Sequence, residues 1–125
     1  LGFGVGICPG PLPAGMIPMT GFDDPASANY GNYKYSDGSI MFWIPKFYYR
    51  VGNAAAAKYA TYGFNTIEVV NAATYATEAA ANTAGFALHR AFYDGGVVKD
   101  GFFIDKYVCS TDGGNLVRAI WNGRN

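Results

Sequence analysis

The strongest strand signal lies over residues 40–51, Ile-Met-Phe-Trp-Ile-Pro-Lys-Phe-Tyr-Tyr-Arg-Val, a run rich in β-branched and aromatic side chains between Gly38 and Gly52. β-Branched and aromatic side chains suit a pleated, half-buried surface, so this stretch predicts a strand. Pro45 supplies no amide hydrogen to a ladder, so the strand is interrupted, bulged or at an edge there. Asn65 to Val70 predicts a second strand, and Asp100 to Cys109 another that starts at a turn. In that third run Phe103, Asp105, Tyr107 and Cys109 share one face, and Phe102, Ile104, Lys106 and Val108 the other. Gly113-Gly114 predicts a turn before a strand at Leu116 to Trp121. One segment has helical character: Thr74 to Ala84 is alanine-rich, carries Glu78 near its start and meets Gly85, a glycine C-cap.

The first 36 residues have a different texture. Gly2, Gly4, Gly6, Pro9, Pro11, Pro13 and Pro18 break any regular element, so residues 1–29 are expected to run extended, with at most short edge strands. Residues 29–38, Asn-Tyr-Gly-Asn-Tyr-Lys-Tyr-Ser-Asp-Gly, combine turn formers with tyrosine and predict a loop. Tyrosine gives large contact area at low entropic cost, and asparagine and glycine adapt their hydrogen bonds. Tyr30, Asn32, Tyr33 and Tyr35 are therefore the candidate binding residues. Their rings suit the C–H faces of sugars, and equally the packing of subunits in a rigid assembly.

Length and composition narrow the classes. The 125 residues, 50% of them hydrophobic, supply one core, so residues 1–125 are expected to be one domain or a fragment of a larger one, with an extended segment over 1–36 and a folded core over 37–125. The start at Leu1 and the end at Asn125 suggest a fragment or processed product. Formal net charge is zero, and the scattered Lys and Arg form no stripe that would follow phosphates, which argues against nucleic acid. The apolar run Ile40 to Ile44 stops at Pro45, far short of the roughly 20 residues that span a bilayer, so no membrane insertion is expected. Charged residues make up 14% against 17% aromatic, which suits a subunit packed among neighbours.

Catalytic templates fail on inventory. His89 is the single histidine and lies in apolar company, Ala87-Leu88-His89-Arg90-Ala91-Phe92, where a packed structural role is expected rather than a general base. Gly2-Phe3-Gly4-Val5-Gly6 lacks the spacing of a phosphate loop. Asp23-Asp24 and the trio Asp94, Asp100 and Asp105 do not follow a calcium-loop pattern, and read as turn and cap carboxylates. No cofactor and no metal are expected. Cys8 and Cys109 either form one bridge closing most of the chain or remain two buried thiols.

Two segments carry a family resemblance: Asp37-Gly38-Ser39-Ile40-Met41-Phe42-Trp43-Ile44-Pro45-Lys46-Phe47-Tyr48-Tyr49-Arg50, and Asp100-Gly101-Phe102-Phe103-Ile104-Asp105-Lys106-Tyr107, with His89-Arg90-Ala91-Phe92 between them. Over residues 37–109 the chain resembles the first part of formylglycine-generating-enzyme-like (sulfatase-modifying-factor) domains, in the versions found in phage and prophage structural proteins. The resemblance implies an α+β, C-type-lectin-like fold of twisted antiparallel strands with one or two short helices, incomplete at its C-terminus. It implies a phage virion component such as a tail fibre or receptor-binding module, located in the extracellular particle and contacting host surface glycan or protein, or neighbouring subunits, as a homo-oligomer. A purely structural assembly subunit is one alternative, and a truncated oxidase domain is another. Nothing after Cys109 matches the cysteine and metal-ligand segment of the family's enzymes, so no enzymatic activity is expected.

Overall fold

The computed structural model describes residues 4–111 and 117–121. In chain order the elements are β1 (Met16–Pro18), β2 (Asn32–Tyr35), β3 (Ile40–Pro45), β4 (Phe47–Val51), α1 (Tyr59–Tyr62), β5 (Ile67–Asn71) and α2 (Glu78–Thr83). They continue with β6 (Ala87–Leu88), β7 (Tyr93–Asp94), β8 (Val97–Val98), β9 (Gly101–Asp105), β10 (Ser110–Thr111) and β11 (Val117–Arg118). The fold is mostly antiparallel β-sheet with two short helices, an α+β, β-rich arrangement. The chain forms two compact units, one of Leu1–Pro45 with Asp100–Asn125, the other of Lys46–Lys99. The N-terminal segment thus belongs to the same unit as β3 and β9.

Pro45 marks the exchange between them. β3 ends on Pro45 in a four-stranded sheet of order β1-β2-β3-β9, and β4 starts at Phe47 in a three-stranded sheet of order β5-β4-β6. The run expected over residues 40–51 is therefore two strands in two sheets. The missing amide at Pro45 ends the first ladder, and the second begins at Phe47 after one intervening residue, Lys46.

In the first unit, β3 pairs with β9 from Met41↔Asp105 to Pro45↔Gly101 and with β2 from Asn32↔Phe42 to Lys34↔Ile40. The period of two places Tyr33, Met41, Trp43 and Phe103 on one face, where Met16, Tyr33 and Trp43 are buried with Cys8, Leu12 and Phe22 packed around them. Three edge-on ring contacts bind this core: Phe22–Tyr33 at 5.7 Å, Tyr33–Phe103 at 5.1 Å and Trp43–Phe103 at 4.9 Å. Such pairs add about 0.5–1.5 kcal/mol each beyond the area they bury. Ala119 is tied to this sheet, accepting from Ile40 N at 2.9 Å and donating to Ser39 Oγ at 3.2 Å.

The loop expected over residues 29–38 is, from Asn32 to Tyr35, an interior strand. Its composition is that of a turn, yet Tyr33 is only 1% exposed and its hydroxyl accepts a hydrogen bond from Cys8 N at 3.0 Å. Burial of one alternate side chain outweighs local turn propensity here. β1 is a three-residue edge strand, as expected of a segment rich in proline and glycine.

In the second unit, β4 lies between β5 and β6. One face carries buried Tyr48 and Leu88 with Ala81, Phe86 and Tyr75, Tyr48 and Tyr75 meeting edge-on at 6.0 Å. Arg50 reaches along that face, with its guanidinium 4.4 Å from the Phe86 ring centre, an ion pair to Glu68 at 2.5 Å and a bond to Ala84 O at 3.1 Å. The opposite face gathers Phe47, Tyr49, His89 and Phe92. Helix α2 is shorter than the predicted span of 74–84, because the Asn71 side chain caps a separate turn over Ala72–Thr74 and Thr77 starts α2 by accepting from Ala80 N at 3.2 Å. Gly85, at φ +80°, ends it.

Candidate functional site

The four candidate binding residues do not form one surface, because β2 sends alternate side chains to opposite faces. Tyr33 is in the core and presents no contact surface. Tyr35 is 38% exposed and lines a cavity of about 400 Å³ with Asp37, Met41, Phe103, Asp105 and Cys109. Tyr30 and Asn32 meet at another cavity, of about 250 Å³, with Val5, Ser27, Phe42 and Lys106. Of the expected Tyr30 to Tyr35 surface, only Tyr30 and Asn32 are brought together.

The Tyr30 cavity has mixed chemistry. Phe42 and Val5 supply apolar wall and Tyr30 an aromatic ring with a hydroxyl. Asn32 is 3% exposed and its amide nitrogen donates to Ala28 O at 3.3 Å, which fixes the orientation of the side-chain carbonyl. Lys106 Nζ lies 3.5 Å from the same carbonyl, Ala28 O, and 5.8 Å from the Tyr107 ring centre. No carboxylate pairs with Lys106 among the described residues, so its charge faces solvent and the cavity. An aromatic plane, an amide and an ammonium around a small apolar hollow suit a polyhydroxylated or anionic ring.

Sequence reading missed Phe42 and Lys106 as members of this site, although the signal was present in the strand period. Asn32 faces Phe42, Phe42 faces Ile104, and Lys106 lies two residues beyond Ile104. What was missing was the partner register, which only the paired strands supply.

The cysteines are free thiols, and the Cys8–Cys109 bridge is not formed. Cys109 Sγ donates to Asp105 Oδ2 at 3.3 Å, and that bond, with a smaller contribution from desolvation, raises the thiol pKa. A neighbouring carboxylate therefore keeps Cys109 protonated, the reverse of what activates a nucleophile. His89 is built into the fold. Its Nδ1 accepts from Ala91 N at 3.2 Å, and its ring lies 5.3 Å from Phe47 and 5.4 Å from Tyr49. Among the described residues no group of three His, Cys, Asp or Glu side chains is placed to hold a metal ion.

The second unit offers an open cleft of about 530 Å³ lined by Glu78, Leu88, Arg90 and Tyr93. The Tyr93 hydroxyl donates to Glu78, and that hydrogen bond raises the phenol pKa. The same unit exposes large apolar side chains together: Val51 and Ile67 are register partners at 57% and 65% exposed, and Phe64, against Gly52, is 79% exposed. Exposed apolar groups in one place mark contact surfaces. No protein-family model, curated protein or solved structure matches the chain.

Proposed function

We propose that this chain is a non-catalytic, C-type-lectin-like module of a phage particle, a tail-fibre or receptor-binding component that contacts a host-surface glycan. The observation that carries this reading is the Tyr30 cavity, where an aromatic ring, a buried amide and an ammonium without a carboxylate partner among the described residues surround a hollow of about 250 Å³, the size of a single sugar ring rather than an extended ligand. Stacking on Tyr30 supplies affinity, while Asn32 and Lys106 set the orientation of ring substituents. Sugar carboxylates or phosphates are preferred over neutral rings, because Lys106 has no carboxylate partner among the described residues.

The test is retention of the purified chain on immobilised bacterial surface glycans and whole cells, comparing wild type with Tyr30→Ala and Lys106→Ala. Both variants leave the core around Tyr33 intact. Binding that falls about tenfold or more in each, with an unchanged circular dichroism spectrum, supports the reading. Binding by wild type that neither variant weakens places recognition elsewhere, and no binding at all removes the receptor function.

A second reading, an assembly subunit held among neighbouring virion proteins, is favoured by the exposed Val51, Phe64 and Ile67. The truncated oxidase alternative draws no support from Cys109, whose pKa is raised by Asp105.

A further inference from the structure

The outer edge of β5 is chemically self-complementary. Gly52 N donates to Thr66 O at 2.8 Å, which makes Gly52 and Thr66 a hydrogen-bonded pair in the β4–β5 register. Hydrogen-bonded and non-bonded pairs alternate along an antiparallel ladder, so Arg50↔Glu68 and Tyr48↔Val70 exchange bonds, while Ile67, Val69 and Asn71 turn their amides and carbonyls away from β4. The other side of β4 agrees, since Phe47 O accepts from His89 N at 3.4 Å toward β6. β5 is the end strand of its sheet, and its outward backbone groups meet no further strand among the described residues.

Edge strands of this kind are ordinarily blunted by proline, lysine, a bulge or a covering loop. Ile67–Asn71, Ile-Glu-Val-Val-Asn, contains neither proline nor lysine. Its one charge, Glu68, is neutralised within the chain by Arg50. The strand therefore presents an uncharged, β-branched edge with exposed Ile67 and Val51 at one end.

We infer that this edge pairs with β5 of a second copy of the chain, antiparallel about a two-fold axis through Val69, joining two three-stranded sheets into one. Hydrogen-bond parity lets the edge pair with its own copy in any register centred on a residue, and the reach of the strand with its charge pattern selects Val69 as the centre. Centring on Val69 sets Val69 against the partner's Val69 and Ile67 against the partner's Asn71, so every outward-turned residue of β5 meets another. Centring on Val70 keeps the same parity but leaves Ile67 outside the five-residue ribbon, and centring on Glu68 leaves Asn71 outside it and sets Glu68 against the partner's Glu68. The chosen register also sets Glu68 opposite the partner's Val70 and keeps the two carboxylates out of direct opposition, so no like-charge pair opposes the contact. A five-residue ribbon buries less than the standard interface of about 800 Å² per side, so the dimer is expected to be weak and concentration-dependent. The inference rests on the assembly reading, giving it a partner and a surface, and is independent of any ligand at Tyr30.

Sedimentation velocity of the full chain, from micromolar to sub-millimolar concentration, tests it. Wild type is expected to pass from monomer to dimer with concentration. Val69→Pro removes one outward amide hydrogen per subunit and none that β4 uses, so it should stay folded and dimerise about tenfold to a hundredfold more weakly. Ile67→Lys, at a largely exposed position, should weaken the dimer without touching the fold, and it decides the matter where Val69→Pro fails to fold. A wild type that stays monomeric throughout, or a dimer that a folded edge variant does not weaken, overturns the proposal. Glycan retention by Tyr30→Ala and Lys106→Ala is read separately, so the loss of one reading is not mistaken for the loss of the other.

Discussion

Single side chains in β2 show how a period of two sorts similar residues into different roles. Tyr33 and Tyr35 share a face and Asn32 lies on the other, so a composition that suggests one adhesive loop becomes a core residue, the rim of one cavity and the wall of another. Removing Tyr30, Tyr33 and Tyr35 together would therefore test folding rather than binding. The reactivity of Cys109 is set by a single neighbour. Its thiol donates to Asp105, which favours the protonated form and raises the pKa, so at mildly alkaline pH less thiolate is present than for an unperturbed cysteine. Alkylation of Cys109 by iodoacetamide, followed by mass spectrometry of its peptide, should rise with pH later than that of a model thiol. Asp105→Asn should shift the curve to lower pH and speed the reaction by several-fold at neutral pH. An unchanged curve in Asp105→Asn would show that the carboxylate does not govern the thiol.

At the scale of elements, the pairing of β3 with β9 holds the first unit together, and Gly101 is its tightest point. Gly101 lies opposite Pro45, and a Cβ there would overlap Ile44 O and the Trp43 indole. Neither neighbour can withdraw cheaply, since one is backbone and the other a buried ring. Gly101→Ala is expected to cost about 3 kcal/mol or more by overpacking, read as a lowered urea midpoint, whereas Gly10→Ala, with open space around it, should leave the midpoint within error. Much of the element pattern was legible. The aromatic strand with its break at Pro45, the strand near residues 65–70 and the alanine-rich helix before Gly85 lie close to their predicted positions, whereas the strand after Asp100 stops at Asp105 instead of running to Cys109. The two-residue strands β6, β7 and β8 were not legible, because so short a segment has no period and exists only through its partner. β2 was misread for a related reason, its turn-like composition being overruled by one buried tyrosine. The Tyr30 cavity was half legible: Tyr30 and Asn32 stood out by type, whereas Phe42 and Lys106 reach the site only through the register of β2, β3 and β9. The turn expected at Gly113-Gly114 and the beginning of the last predicted strand lie outside the described residues, and the described part of that strand is Val117–Arg118.

For the whole molecule, charge decides how copies meet. Nine basic and nine acidic residues leave a formal net charge of zero at pH 7, so no long-range repulsion holds copies apart near neutrality. With Val51, Phe64 and Ile67 exposed, short-range apolar contact then goes unopposed. Solubility should accordingly be lowest near neutral pH and rise below about pH 5, as carboxylates gain protons, and above about pH 10, as ammonium groups lose them. Salt sharpens the prediction, since added sodium chloride screens repulsion only where net charge exists. It should lower solubility at the acidic and alkaline ends while changing little at neutrality. Light scattering across pH and salt would read both effects. A solubility indifferent to pH would mean that association is set by apolar and backbone contacts alone, and the edge variants Val69→Pro and Ile67→Lys would then have to restore it. A pH-dependent minimum that Ile67→Lys shifts to higher pH, by adding one positive charge, would show that net charge and the β5 edge act together in bringing copies into contact.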